Sequence, residues 1–339
     1  MKKTTPFSAL LLFCAITPAF ALSPALDQAA SAARQAAEPP AVSAPAPADR
    51  ADRAEDPYWL GREFEAVFSA GKDFSPSELS RLRSMRLLFV PGFMSNLASA
   101  SGYLPNLPFV PEYFGRQAAY LRSRGLDCRL VDIESETSIY ANARKVIKEI
   151  EQAPGKVLVI GHSKGGLDTL EALLKRPDLR RKVHAVIAVQ SPFFGSPVAD
   201  LMLSGPTLSV PSSLLLDMLG GSKQSLQNLS VKYRRSYHKE KEAEIRKLTA
   251  QVPFYSYSTW KDDSFLPYLD TVLEGFRDYM LGLGLHNDGL VPAESAVLPG
   301  SRYVYLAGTD HLCTVLWVPL PLFDREAFIR SALKLSLKQ

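Results

Sequence analysis

KVLVIGHSKGG, residues Lys156–Gly166, sets four consecutive apolar residues in front of a serine flanked by glycines. A short, unbroken apolar run of this kind reads as a strand buried on both faces. Apolar residues resume at Leu167, Leu170, Leu173 and Leu174, a helical spacing. Ser163 therefore occupies the apex of a tight strand–turn–helix junction. A serine that merely packs has no need of such surroundings; one that reacts must be lifted clear of the sheet.

Working outward, the same rhythm repeats. RLLFVPGF (Arg86–Phe93), CRLVDIES (Cys128–Ser135) and VHAVIAVQS (Val183–Ser191) read as further strands. Residues 111–124 read as a helix. Ile139, Ala143, Val146, Ile147 and Ile150 share one face of another. Continuous apolar strands alternating with amphipathic helices predict a parallel sheet covered on both faces, an α/β domain. The rhythm breaks over about 198–252, where no strand is evident, and resumes with VPFYSYSTW (Val252–Trp260), SRYVYLAG (Ser301–Gly308) and a closing helix near 325–338. One α/β domain over 57–339 is expected, carrying a helical insertion at about 198–252.

The N-terminus reads differently. Lys2 and Lys3, the apolar stretch Phe7–Ile16 and the small-residue site Ala19-Phe20-Ala21 form the pattern of a secretory signal, with cleavage expected after Ala21. That stretch is too short to span a bilayer, and no other run is long and apolar enough. An exported protein, periplasmic or secreted, is expected. Residues 22–56, rich in Ala, Pro and charge, read as a flexible linker. The chain has 339 residues, 46% of them hydrophobic, and a net charge of only +4. Without a basic stripe interleaved with aromatics, a nucleic-acid partner is not indicated. Export permits a disulfide between Cys128 and Cys313, but the two are expected at opposite ends of the sheet and so as free thiols.

Gly161-His162-Ser163-Lys164-Gly165 fits G-x-S-x-G in the strand-to-helix context that the motif requires. The glycines permit strand and helix to close together around a serine held in a strained conformation. GHSKGG resembles the nucleophile turn of the α/β-hydrolases, bacterial lipases in particular. Further stretches carry the same resemblance in the same order. VPGF resembles the oxyanion segment, with Pro91 in place of histidine. VQSPFFGSPVAD resembles the segment leading to the lid, and FYSYSTW, HNDGLVP and DHL resemble the strand, acid loop and histidine turn. The resemblance covers about residues 84–320, in islands; residues 200–250 match nothing.

The resemblance implies an α/β-hydrolase fold and a triad of Ser163, His311 and Asp288. Of the five histidines, His311 follows the last strand. His162 is expected on the far side of its strand as a packing residue, His184 near the bottom of a strand, His238 in solvent, and His286 in the acid loop. Asp262 and Asp263 follow the preceding strand more directly than Asp288; the Asn-Asp-Gly-Leu-Val match favours Asp288. Asp310 is expected to form a turn. Backbone N–H groups of Phe93 and Lys164 are the expected oxyanion donors, with the Lys164 amine in solvent. Similar lipases often hold calcium through an aspartate two residues after the histidine. Here Cys313 stands there, a poor ligand for an ion that prefers oxygen, so neither metal nor cofactor is expected.

Such a site implies acyl transfer, usually to water. The expected substrate is a lipid ester of medium to long acyl chain, with transient contact with lipid surfaces. Leu214, Leu215, Leu216, Met218 and Leu219, ending at Gly220-Gly221, suggest a lid over the site. A phospholipase, a polyester depolymerase and an acyltransferase share the same machinery; a non-catalytic lipid-binding protein would be expected to lack a triad member.

Overall fold

Burial on both faces of the sheet decides how the chain is arranged. The computed structural model describes residues 55–92, 113–134, 137–204, 222–261, 273–316 and 323–338. The expected signal at 1–21, the linker up to residue 54 and the apolar block Leu214–Gly221 lie outside them.

The strands among the described residues are β1 (Met85–Val90), β2 (Asp127–Leu130), β3 (Lys156–His162), β4 (Val183–Val189), β5 (Phe254–Trp260) and β6 (Arg302–Ala307). They form one sheet in the order β2-β1-β3-β4-β5-β6, with every neighbouring pair parallel. The α-helices among the described residues are α1 (Gly61–Ala70), α2 (Pro76–Arg83), α3 (Gly115–Arg122), α4 (Ile139–Gln152), α5 (Lys164–Lys175), α6 (Pro197–Leu203), α7 (Lys223–Leu229), α8 (Val231–Gln251), α9 (Glu274–Gly282) and α10 (Arg325–Ser336).

Alternation along each strand divides the core in two. Leu87, Phe89, Leu158, Ile160, Ile187 and Tyr257 face α1, α3 and α10, contributing to a cluster that includes Phe64, Leu121 and Phe328. Leu88, Val90, Val157, Val159, Val186 and Phe254 face the other way, against Ala143 and Val146 of α4, Leu170 and Leu173 of α5, and Leu248 of α8. Each fully buried aliphatic side chain contributes about 2 kcal/mol of transfer free energy, and a parallel sheet requires that burial on both faces.

Local signals set several helix starts. Ser75 and Glu78 form a reciprocal capping box at α2. Ser138 and Ser230 accept from the third-residue N–H of α4 and α8. The described parts of the 198–252 insertion are helical, as α6, α7 and α8. β2 ends sooner than its apolar run suggests. It is an edge strand; Val131 still donates to the Phe89 carbonyl, and Ile133 N–H then turns back onto the Val131 carbonyl.

The strand order places β1 beside β3, and the chain leaves β1 towards β2 on one side and β3 towards β4 on the other. The crevice at the carboxyl ends of such a sheet is where ligands bind in open α/β folds. Gly92 follows β1 there, and Ser163 follows β3.

Candidate active site

Ser163 lies between β3 and α5 with φ 53° and ψ −127°. Positive φ is uncommon for a non-glycine residue and costs on the order of 1–3 kcal/mol, so the surroundings must impose it. Its N–H donates to the Val189 carbonyl at 2.8 Å, binding the turn to the end of β4. A Cβ at Gly165 would stand 2.1 Å from the Val90 carbonyl oxygen, and one at Gly92 would stand 2.7 Å from the Ser163 Cβ. These two glycines let β1, the serine turn and α5 approach one another. Lys164 opens α5, where first-turn N–H groups lack an intrahelical acceptor and the helix dipole favours negative charge. Phe93, the other expected oxyanion donor, lies outside the described residues. The N–H of Gly92, just before it, donates to the Tyr113 hydroxyl at 3.2 Å.

Asp288 and His311 meet on neighbouring loops. His311 Nδ1 is 2.9 Å from Asp288 Oδ2, and the His311 N–H donates to the Asp288 carbonyl at 2.9 Å. The carboxylate is fixed from the other side. Its Oδ1 accepts from the N–H groups of Leu290 (3.0 Å) and Val291 (2.7 Å), and its Oδ2 also accepts from the Thr259 hydroxyl at 3.3 Å. Both side chains are buried. The His311 ring lies 4.7 Å from that of His162, the residue before Ser163. The histidine loop is thus seated beside the serine turn, although among the described residues no hydrogen bond joins the Ser163 hydroxyl to the imidazole. The alternative acids Asp262 and Asp263 lie outside the described residues.

Other expectations divide. Asp310 forms a turn, its Oδ1 accepting from the N–H groups of Leu312 and Cys313, both at 2.9 Å. Cys128 and Cys313 are free thiols, and burial pushes the Cys313 thiol well up, leaving it neutral. Among the described residues no group of three His, Cys, Asp or Glu side chains could hold a metal ion. His162 does face the far side of β3, beside Tyr113 and Phe114. It does more than pack, however. Its Nδ1 meets the Tyr113 hydroxyl, and its Nε2 meets Gln190 Oε1 (2.9 Å) and the His311 carbonyl (3.1 Å). Burial holds its pKa well below the ordinary histidine value, with nearby His311 adding to the shift.

Two expectations of solvent exposure are overturned. The Lys164 amine is fully buried, 3.4 Å from Asp168, because α5 is sandwiched between the sheet and other helices. Burial depresses the lysine and lifts Asp168 to about 6, each partner opposing the other's shift. His238 is buried too, stacked on Phe194 with ring centroids 4.2 Å apart. Tyr113, Gln190 and Thr259 did not emerge from sequence reasoning. The available signal was a lone polar residue ending an apolar strand, as Gln190 does after β4.

Comparison with known proteins bears on the fold. The family model for lecithin:cholesterol acyltransferase matches residues 112–223, about a third of the chain. The solved structure of a metagenomic carboxyl esterase, MGS0156, superposes with a TM-score of 0.55 at 25% identity, over 75% of this chain and 74% of that one. The chain has an α/β-hydrolase fold similar to that of lipases and esterases. A second similar structure is the mature form of the lipase BlEst2 from Bacillus licheniformis, with a TM-score of 0.51 and 21% identity over 68% of this chain and 85% of that one. No curated protein matches the chain in sequence.

Proposed function

We propose that this hydrolase cleaves carboxylic ester bonds of lipids, with medium to long acyl chains, through a serine-bound acyl intermediate. The observation that carries the reading is the buried Asp288–His311 pair at 2.9 Å, seated beside a serine held at φ 53° at the mouth of a helix. A serine hydroxyl needs a base within reach and a group that orients that base.

In this reading His311 Nε2 takes the Ser163 proton as Oγ attacks the ester carbonyl. Asp288 holds Nδ1–H and stabilises the imidazolium. The Lys164 backbone N–H receives the developing oxyanion at the start of α5, and the Phe93 N–H is assigned the second donor's place. His311 then returns the proton to the departing alcohol, and water repeats the sequence in reverse to free the acid. The lipid class is supported by the esterase and lipase that the fold resembles. Export is also part of the proposal, resting on residues 1–21; the N-terminus of the mature protein should begin at Leu22.

The deciding test uses p-nitrophenyl esters of graded chain length and a fluorophosphonate label. Wild type should hydrolyse the esters and take the label at Ser163. Ser163→Ala should do neither, and a fully active Ser163→Ala would end the proposal. A second reading, transfer of the acyl group to an alcohol instead of water, is favoured by the family model matched over residues 112–223. Adding a long-chain alcohol separates the two: acyl transfer would accumulate a new ester at the expense of free acid.

A further inference from the structure

Gln190 has positive φ (53°) at the end of β4 and is fully buried. Its amide is saturated. Nε2 donates to the Asp310 carbonyl at 2.9 Å and to the Thr259 hydroxyl. Oε1 accepts from His162 Nε2 at 2.9 Å and from the Thr314 hydroxyl. Two donors and two acceptors are all that a primary amide offers. The four partners belong to the end of β3, the end of β5 and both flanks of His311.

The direction of every bond in this group is determined. Asp288 Oδ2 can only accept, so the Thr259 hydroxyl donates to it and must accept from Gln190. The Asp310 carbonyl likewise demands the amide nitrogen. Gln190 Oε1 therefore faces His162, and the His311 carbonyl faces the same ring nitrogen. Both are acceptors, so His162 carries its proton on Nε2. Its Nδ1 then accepts from the Tyr113 hydroxyl, which in turn accepts from the Gly92 N–H.

We infer that Gln190 is a positioning residue, the hub of one polarised hydrogen-bond chain running Gly92–Tyr113–His162–Gln190–Thr259–Asp288 that holds the loops of nucleophile, base, acid and oxyanion donor in a single frame. This rests on reading Ser163, His311 and Asp288 as the triad. Chains of this kind polarise their members, and a half-satisfied one loses more than its missing bond.

Three measurements test it. First, Gln190→Glu keeps the shape and removes at least one of the two donors; it should lower kcat about 100-fold while KM stays within about twofold, and an unchanged kcat overturns the inference. Second, Tyr113→Phe and Thr259→Val remove hydroxyls that do not touch each other. In a double-mutant cycle on kcat, their losses should depart from simple multiplication by about threefold or more, whereas independent losses overturn the inference. Third, nitrogen-15 NMR of histidine-labelled Ser163→Ala protein should show His162 as the neutral Nε2–H tautomer. An Nδ1–H tautomer or an imidazolium near neutral pH overturns it. This last readout needs no hydrolysis, so it separates failure of the chain from failure of the triad reading, which Ser163→Ala activity and labelling decide.

Discussion

The turn at Ser163 was legible because its constraint is written in its neighbours. Gly165 has to be glycine where a Cβ would stand 2.1 Å from the Val90 carbonyl oxygen. Gly165→Ala should therefore lower stability by about 1–3 kcal/mol and displace the serine turn, seen as a lower denaturant midpoint together with lost esterase activity. At Asp288 the expected signature is the reverse, a functional loss without unfolding. Asp288→Asn keeps the packing but presents the wrong hydrogen-bonding group to His311 Nδ1. By analogy with the same exchange in other serine–histidine–aspartate triads, kcat should fall by about 10⁴-fold, with the unfolding midpoint moved by less than for Gly165→Ala. Gln190 was illegible for a physical reason. Its role lies in four bonds to residues distant in sequence, and nothing local distinguishes it from a polar residue ending a strand. Lys164 misled for a related reason: lysine is almost never fully buried unless paired, and its partner Asp168 is recognisable as such only once α5 is known to be enclosed.

At the scale of elements, that pair joins α5 to α4. Asp168 accepts from Lys164 and from Asn142 Nδ2 at 3.2 Å, and Asn142 also donates to the Glu134 carbonyl. Removing one member leaves the other buried and uncompensated, so Asp168→Ala should cost about 3–5 kcal/mol. The apolar double replacement Lys164→Met with Asp168→Leu should recover most of that loss, since a well-packed apolar pair often equals a buried ion pair. Chemical denaturation of the two variants checks both statements. Elements with strong periodicity, such as β3 and α4, were readable from sequence. α1, α2 and α9 were not anticipated. α1 takes its stability from packing, Phe64 meeting Tyr257 and Phe328 at 5.5 and 6.0 Å.

For the molecule as a whole, the fold class followed from alternation, and the position of the site followed from the sheet's topology. What sequence could not convey was how completely the insertion helix α8 seals the second face. His238 shows the effect. Burial pushes its pKa down to about 3, whereas an exposed histidine titrates near 6.5. Between those values the unfolded chain takes up a proton that the folded one refuses, so stability falls as pH drops from about 6.5 towards 3. By pH 4.5 this group alone should have withdrawn on the order of 2 kcal/mol. His238→Phe, packed against Phe194, should lose less stability than wild type between pH 7 and pH 4.5, measured by urea midpoints; parallel losses would contradict the assignment.

The contacts at the β6 edge bear on how the chain is made. Tyr303 exchanges backbone hydrogen bonds with Tyr58 and Leu60, and its hydroxyl reaches Asp56, 247 residues earlier in the sequence. A nascent polypeptide emerging from the ribosome cannot close that contact until Tyr303 itself has been synthesised and released from the tunnel. Until then the segment around Trp59 has no mate, and an observer following translation should find it open to protease and to chaperones.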